Sequence, residues 1–304
     1  MGEIERRQLG RTGLSVTVLG FGAMDLGGPP AAGEISDAYA GRILNAVLDH
    51  GINFIDTAIC YGTSEARIGQ AISHRRNEFI LATKCGCQPG KPMTAPHIHA
   101  AANIRAGIEH SLRTMRTDYL DIVQFHQSLD RGAWESDGAL DELLKMKAEG
   151  KLRFIGVSGI FPNLIDQVDS GIFDVFQIPY SALQREHEGI IAKASANGAG
   201  IIIRGGVARG APTDWNKRYY MMTGEEMSGR WDKARLDDLL NGMSRMEFML
   251  RFAIAEPTLD TAIIGTKNVD HLGGNVTAVL QGPLPADVVE EAKRRLGAAG
   301  SKPV

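Results

Sequence analysis

Four side chains able to hold or pass a proton follow apolar runs in this chain of 304 residues. Asp56 ends Asn53-Phe54-Ile55-Asp56, and Tyr61 stands just beyond it, with Gly62 next to permit a tight turn. Lys84 follows the run Phe79–Thr83, and His126 ends the run Tyr119–His126. A carboxylate at the end of a buried run is costly without a partner, so Asp56 requires one. An unperturbed phenol titrates near ~10 and is a poor proton donor at neutral pH. A Lys84 ammonium beside Tyr61 is expected to lower that pKa, with Asp56 holding Lys84 charged and in place. His126 would orient a carbonyl oxygen or relay a proton. Such a set makes a general acid for a carbonyl that receives hydride, or a base for an alcohol that loses one. Taken singly, each has a plainer reading: Tyr61 as packing, Asp56 and Lys84 as a structural ion pair, His126 as a satisfied core histidine. Their joint placement on neighbouring strand ends is what points to a site.

The elements that must position them come in a regular rhythm. Glu5–Leu9 and Ser15–Val18 flank the Gly10-Arg11-Thr12-Gly13 turn and predict an opening β-hairpin. Strands are predicted at Val18–Phe21, Asn53–Asp56, Phe79–Thr83, Tyr119–His126, Arg153–Val157, Val175–Ile178, Ile201–Ile203 and Thr261–Ile264. Between them lie helical patterns. In Asp37–His50, Ala40, Ile43, Leu44 and Val47 share one face, and Gly51 suits the residue after the helix end. Further helices are predicted at Glu65–Ile72, about Ile98–Met115, around Leu140–Leu144, Pro162–Val168, His187–Asn197, Lys233–Leu240, Arg245–Ala255, Val269–Val279 and Ala286–Leu296. Buried strands each followed by a helix are the rhythm of a (β/α)8 TIM barrel, here with an N-terminal hairpin and extra helices near the C-terminus. A doubly wound open sheet is the alternative. A single barrel domain over 1–304 is expected, since α/β barrels of this length form one domain. In such a barrel the chemistry sits at the carboxyl ends of the strands. Those ends carry Asp56, Lys84, His126, Ser158, Gln177, Arg204 and Gly265-Thr266-Lys267.

Composition excludes several classes. Charged residues make up 23%, hydrophobic residues 43%, and the net charge is −3, with no basic block suited to nucleic acid. No apolar run is long enough to span a membrane, and the charged N-terminus lacks a secretory core. The cysteines, Cys60, Cys85 and Cys87, are odd in number, which favours reduced thiols in a cytoplasmic protein. Gly20-Phe21-Gly22 begins a Gly-x-Gly run, but Asp25 stands where the third glycine of a Rossmann fingerprint belongs.

At these residues the sequence resembles the aldo-keto reductase superfamily over nearly its whole length. Leu9–Leu14 and Leu19–Met24 are similar to its hairpin and first strand. Asn53–Ala58 through Tyr61-Gly62, Ser64-Glu65 and Gly69 match its signature. Ala82-Thr83-Lys84, Tyr119–His126, Gly156-Val157-Ser158, Gln177–Ser181 and Ile263–Asn268 follow in order. The resemblance implies an NADPH-dependent carbonyl reductase, with NADH as the alternative cofactor. Asp56, Tyr61, Lys84 and His126 would be catalytic, with Tyr61 the proton donor. Gly22, Ala23, Met24 and Asp56 would meet the cofactor at the barrel mouth, and Ser158 and Gln177 would hold its carboxamide. Arg204 would lie against the nicotinamide, and Gly205, Val207, Arg209 and Gly210 would cover the pyrophosphate. Gly265, Thr266, Lys267, His271 and Asn275 would meet the adenosine end. Met24, Tyr61, His126 and Phe161 would face the substrate, with Cys60 and the Trp215–Trp231 segment also lining the pocket. The short tail after Leu296 implies an open site, tolerant of several carbonyl or sugar substrates, in a monomer or weak homo-oligomer.

Departures from the family pattern are visible. Gly159 stands where the family commonly has Asn, Arg204 where many members stack an aromatic ring, and His271 where a cation for a 2′-phosphate is often found. Cys85-x-Cys87 and His97-x-His99 lie in the loop after the third strand. The Cys-x-Cys spacing is not that of zinc ligands, so no metal is expected; Cys60 and Cys85 would be oxidation-sensitive neighbours of the site. Two alternatives stay open: a sugar 1-dehydrogenase on the same residues, and a non-catalytic barrel subunit that senses the cofactor.

Overall fold

The computed structural model describes residues 2–28, 35–136, 138–208 and 224–304. Strands β1 (Arg6–Gln8) and β2 (Ser15–Thr17) pair antiparallel into the expected hairpin. The next strands are β3 (Leu19–Gly22), β4 (Phe54–Asp56), β5 (Ile80–Cys85), β6 (Leu120–Phe125) and β7 (Leu152–Ser158). β8 (Val175–Pro179), β9 (Gly200–Arg204) and β10 (Thr261–Ile264) complete the set. All pair in parallel in sequence order, and β10 closes the barrel by pairing with both β3 and β9.

Period-two alternation decides what fills the barrel. Phe54, Ala82, Ile122, Val175, Ile202 and Ile263 meet in one apolar layer, with Leu9, Leu14 and Val16 of the hairpin packed in the same cluster. The hairpin approaches closely because Gly10 has φ +47° and lies where a Cβ would come 2.3 Å from the backbone nitrogen of Gly200. Two positions further along the same strands stand Asp56, Lys84, Gln124, Gln177 and Arg204. The polar layer is thus the next storey of the apolar plug.

Helices surround the barrel: α1 (Asp37–Asp49), α2 (Ser64–Ile72), α3 (Ala101–Met115), α4 (Arg131–Ser136), α5 (Ala139–Ala148) and α6 (Leu164–Ser170). α7 (Glu188–Ala196), α8 (Gly224–Lys233), α9 (Arg245–Ile254), α10 (Val269–Leu280) and α11 (Ala286–Ala298) follow. Helix α1 begins where the Ser36 hydroxyl accepts from the Tyr39 amide at 3.2 Å, and it buries Ala40, Ile43, Leu44 and Val47 as its periodicity requires. Two helical expectations change, and one helix is added. The helix expected at Ile98 starts at Ala101, because the Asn103 side chain donates to the Ile98 carbonyl at 2.8 Å and holds the preceding loop. Lys233–Leu240 is not one helix. α8 ends at Lys233, Arg235 takes a left-handed φ of 50°, and a 3₁₀ turn covers Leu236–Leu239. α4 had no predicted counterpart.

One buried acid ties α2 to the barrel. The Glu65 carboxylate accepts from the Thr83 hydroxyl at 2.7 Å and the Ser111 hydroxyl at 2.9 Å. Burial pushes its pKa up from 4.5 to about 7, against the pull of those two bonds. The folded value lies above the unfolded one, so ionisation opposes folding. The cost is absent below the unfolded pKa, grows as pH rises towards 7 and is constant above. Glu65→Gln removes this titration. Relative to the variant, the wild-type chain should lose roughly 3 kcal/mol of stability between acid and mildly alkaline pH, read from urea unfolding. Parallel pH profiles for the two proteins would refute the assignment.

Candidate active site

Asp56 ends β4 and Lys84 lies near the end of β5, on strands paired directly in register Asp56↔Ala82. The Lys84 ammonium donates to Asp56 Oδ2 at 2.6 Å and to the Thr57 carbonyl at 2.8 Å. The lysine is only 1% exposed. Asp56 Oδ1 accepts from Gln124 Nε2 at 3.1 Å and from Gln177 Nε2 at 2.8 Å. Ser158 Oγ in turn donates to Gln177 Oε1 at 2.8 Å. The expected strand-end residues Asp56, Lys84, Ser158 and Gln177, with Gln124 added, therefore form one buried network. Gln124 was missed because it lies inside an apolar run, two positions before His126; its inward parity with Ile122 was the available signal.

Tyr61 is brought over this network by a tight turn. Its amide donates to the Ala58 carbonyl at 3.0 Å, and its carbonyl accepts from Ser64 at 3.0 Å. The loop after β3 lies so close that a Cβ on Gly27 would overlap the Tyr61 carbonyl. Gly62, at φ +55°, accepts the same approach from the other side. The Lys84 nitrogen stands 5.0 Å from the centre of the Tyr61 ring. The Tyr61 hydroxyl is 3.4 Å from His126 Nε2. The four residues expected to act together therefore form a chain of neighbours, Asp56 to Lys84 to Tyr61 to His126.

Their protonation is set by burial first. Burial alone would lower Lys84, but the attraction of Asp56 and then of Tyr61 outweighs it and the ammonium titrates above its usual range. Burial pushes the Tyr61 phenol up, and Lys84 pulls it down by less. This corrects the expectation of a lowered phenol: the lysine acts in the expected direction but does not win. Burial pushes His126 down, which keeps its imidazole neutral at pH 7. On its other side, His126 Nδ1 faces Cys87 Sγ at 2.9 Å and Cys60 Sγ at 3.4 Å.

The described residues among those expected along a dinucleotide lie at or near the carboxyl ends of β3, β4, β7, β8, β9 and β10 or in α10. Gly22, Ala23 and Met24 end β3 and enter a 3₁₀ turn. Gly265 lies beside them: a Cβ there would come 2.9 Å from the Gly22 carbonyl. Thr266 is buried and Lys267 half-buried, directly before α10, whose Asn268 cap accepts from the Asp270 amide at 2.8 Å. A lysine directly before a helix start favours an anionic group. His271 is exposed in the first turn of α10, and Asn275 is half-buried further along. Arg204 ends β9 half-buried, and Gly205 follows with φ +72°. Val207 is buried. Arg209, Gly210 and the span 211–223, which includes Trp215, lie outside the described residues. Trp231 is not a pocket wall. It is wholly buried against Phe248, and its indole donates to Asp237 at 3.1 Å.

Phe161 stacks on His187, with ring centres 4.6 Å apart, and its amide donates to His187 Nε2 at 3.3 Å. His187, which sequence reasoning did not single out, is held neutral by burial, with its pKa down to about 4. Gly159 has a local reason. A side chain there would come 2.8 Å from Cβ of Ser128, whose hydroxyl donates to the Ile160 carbonyl at 2.7 Å. An Asn does not fit this position without moving Ser128.

The site thus combines a buried cation, a phenol and an imidazole with a rim suited to a dinucleotide. Known proteins are similar to this chain in sequence and fold. Residues 18–295 match the model of the aldo/keto reductase family. L-galactose dehydrogenase of Arabidopsis thaliana is 30% identical over 296 residues, covering 92% of this chain and 90% of that protein. An uncharacterized oxidoreductase of Bacillus subtilis, YqkF, is 28% identical over 291 residues, covering 90% and 91%. Among solved structures, the holo form of aldo-keto reductase AKR11C1 from Bacillus halodurans superposes with a TM-score of 0.84 at 28% identity, covering 96% of each chain.

The ion pair makes a stability prediction. Lys84→Met leaves the Asp56 charge buried without its cation and should cost about 3–5 kcal/mol in denaturant unfolding. The double variant with Asp56→Asn should recover much of this loss, because no unpaired charge remains. Additive losses in the double-mutant cycle would show that the two side chains do not interact.

Proposed function

The chain belongs to the aldo/keto reductase family and is a nicotinamide-dependent carbonyl oxidoreductase; we propose that Tyr61 is its proton donor, working with Lys84, Asp56 and His126. The observation that carries this reading is the Lys84 ammonium, held by Asp56 at 2.6 Å and set 5.0 Å from the ring of Tyr61, whose hydroxyl is 3.4 Å from His126. A nicotinamide cofactor held at the mouth would supply or accept the hydride. Tyr61 gives its proton to the carbonyl oxygen as negative charge builds there, and takes it back in the alcohol direction. Lys84 stabilises the phenolate left behind, and Asp56 keeps Lys84 in place. The His126 Nε2 edge orients the oxygen. Ser158 and Gln177, already paired to each other, hold the carboxamide. Met24 and Phe161 border the substrate.

The cofactor of this reading is NADPH. Its support is the placement of Thr266 and Lys267 directly before α10 and of Asn275 further along it, with Lys267 supplying a cationic side chain at the helix start. The substrate class is an aldose or a small aldehyde, and the 30% identity to L-galactose dehydrogenase supports including the aldose oxidation direction. The working unit is one barrel domain over 1–304, a cytoplasmic monomer or weak homo-oligomer. No helix among the described residues is long and apolar enough to cross a membrane.

Two measurements test this. Tyr61→Phe should lower kcat by roughly 10²–10⁴-fold, the usual contribution of a general acid, while NADPH fluorescence titration stays unchanged. Undiminished turnover in an aldehyde and aldose screen would refute the assignment of Tyr61. Lys267→Ala should weaken NADPH binding and leave NADH binding unaltered; equal losses for both would remove the basis for NADPH.

A further inference from the structure

We propose that Cys60, Cys87, His97 and His126 form a tetrahedral metal site, and that its metal is zinc. The ligand atoms these residues offer all lie within 4.8 Å of one another. Cys87 Sγ is 2.9 Å from His126 Nδ1 and 2.9 Å from Cys60 Sγ, and Cys60 Sγ is 3.4 Å from His126 Nδ1. Tetrahedral zinc with these ligands has edges of about 3.3–3.8 Å, so a spread of about 1 Å admits the ion. Two sulfurs and two imidazole nitrogens are a soft donor set that suits zinc and excludes magnesium and calcium.

An orphaned atom points the same way. His97 Nδ1 is buried and makes no hydrogen bond. Its ring centre lies 4.8 Å from that of His126. A buried polar atom without a partner calls for an ion or a water. The surroundings are apolar: Cys60 and Cys87 pack with Ala58 and Ile59, with Tyr61 and Met93 against them.

The loop that carries the new ligands also needs a tie. Residues 86–100 connect β5 to α3 without a helix or strand. Loops of this length are uncommon in compact domains unless they serve a function. Cys87 lies at its start and His97 near its end. A shared ion would fasten both to Cys60 in the loop after β4 and to His126 after β6.

Sequence spacing within this one loop argued against a metal, and it grouped the wrong residues. Cys85 lies on β5 in the core between barrel and helices. The His99 ring packs beneath Gly86, where a Cβ would come 2.7 Å from its Nε2. The barrel instead joins Cys87 and His97 to Cys60 and His126, which are remote in sequence.

Ligation through Nδ1 has a consequence at the reaction centre. It leaves the proton of His126 on Nε2, the nitrogen 3.4 Å from the Tyr61 hydroxyl. The imidazole is then fixed as a donor towards the substrate oxygen. This consequence rests on the proposed role of His126; the metal site itself does not.

The test reads metal, not turnover. Protein purified under reductant and without a metal-affinity step should carry about one zinc per chain by plasma mass spectrometry. Cys87→Ser and His97→Ala should fall below about a tenth of that, while Cys85→Ala keeps its zinc. Chelator-stripped wild-type protein titrated with Co²⁺ should develop thiolate-to-cobalt charge-transfer absorption that saturates at about one equivalent. That spectrum decides the matter even if a variant fails to fold. Reduced wild-type protein that holds no zinc and shows no cobalt band would overturn the proposal. So would a Cys60–Cys87 disulfide whose reduction restores no metal uptake. Either failure leaves the Tyr61→Phe result standing, and loss of the Tyr61 assignment leaves the zinc count standing.

Discussion

Lys84 is fully charged in the middle of a protein, and the polar layer of the barrel is arranged around that fact. An isolated buried ammonium costs several kcal/mol after relaxation, and a single counter-ion rarely repays it. Here the payment is spread. Asp56 Oδ2 and the Thr57 carbonyl each accept a hydrogen bond from Lys84, while Gln124 and Gln177 donate to the remaining carboxylate oxygen. Asp56 and Thr57 come from the end of β4, Gln124 from β6 and Gln177 from β8, so the pair is satisfied only when these strands and β5 are in register. The electrostatic requirement and the closure of the barrel are therefore one constraint.

The plug beneath explains why that layer is fixed in height. Phe54, Ala82, Ile122, Val175 and Ile202 sit two residues before Asp56, Lys84, Gln124, Gln177 and Arg204. A slip of one residue in any of these strands would turn a polar group of the layer outward. At the other end Asp121 accepts from Arg76 at 2.6 Å, Arg153 at 2.7 Å and the Leu81 amide at 2.9 Å, which locks β5, β6 and β7 below the plug. The mouth can then vary in its loops while the floor stays constant.

This division accounts for what the sequence made legible. Strands and their end residues carry a strong signal because buried parallel strands are apolar throughout and stop at a polar residue. That is how Asp56, Lys84, Ser158, Gln177 and Arg204 could be placed before any coordinates. Gln124 was hidden because a polar residue inside an apolar run looks like noise unless its parity is followed. The break at Arg235 was hidden because only its left-handed backbone separates two helical patterns. The thiol and imidazole cluster was hidden for a topological reason: loops after three successive strands meet at the mouth, and no spacing rule along the chain reports that. The sign of the Tyr61 shift needed burial, which sequence does not supply.

His126 is where the two halves of the mouth meet. Its Nε2 faces the Tyr61 hydroxyl and its Nδ1 faces two sulfurs. A neutral imidazole has one proton to place, so a donor on one side is an acceptor on the other. Cys87 directs its thiol towards Cys60, which pulls Cys60 down and pushes Cys87 up. An anionic sulfur at Cys60 on its own would draw the imidazole proton to Nδ1 and leave Nε2 an acceptor, facing a phenol that burial keeps protonated. A cation among the sulfurs reverses this, because Nδ1 must then give its lone pair to the metal. What binds behind His126 therefore sets which way it can hydrogen-bond in front.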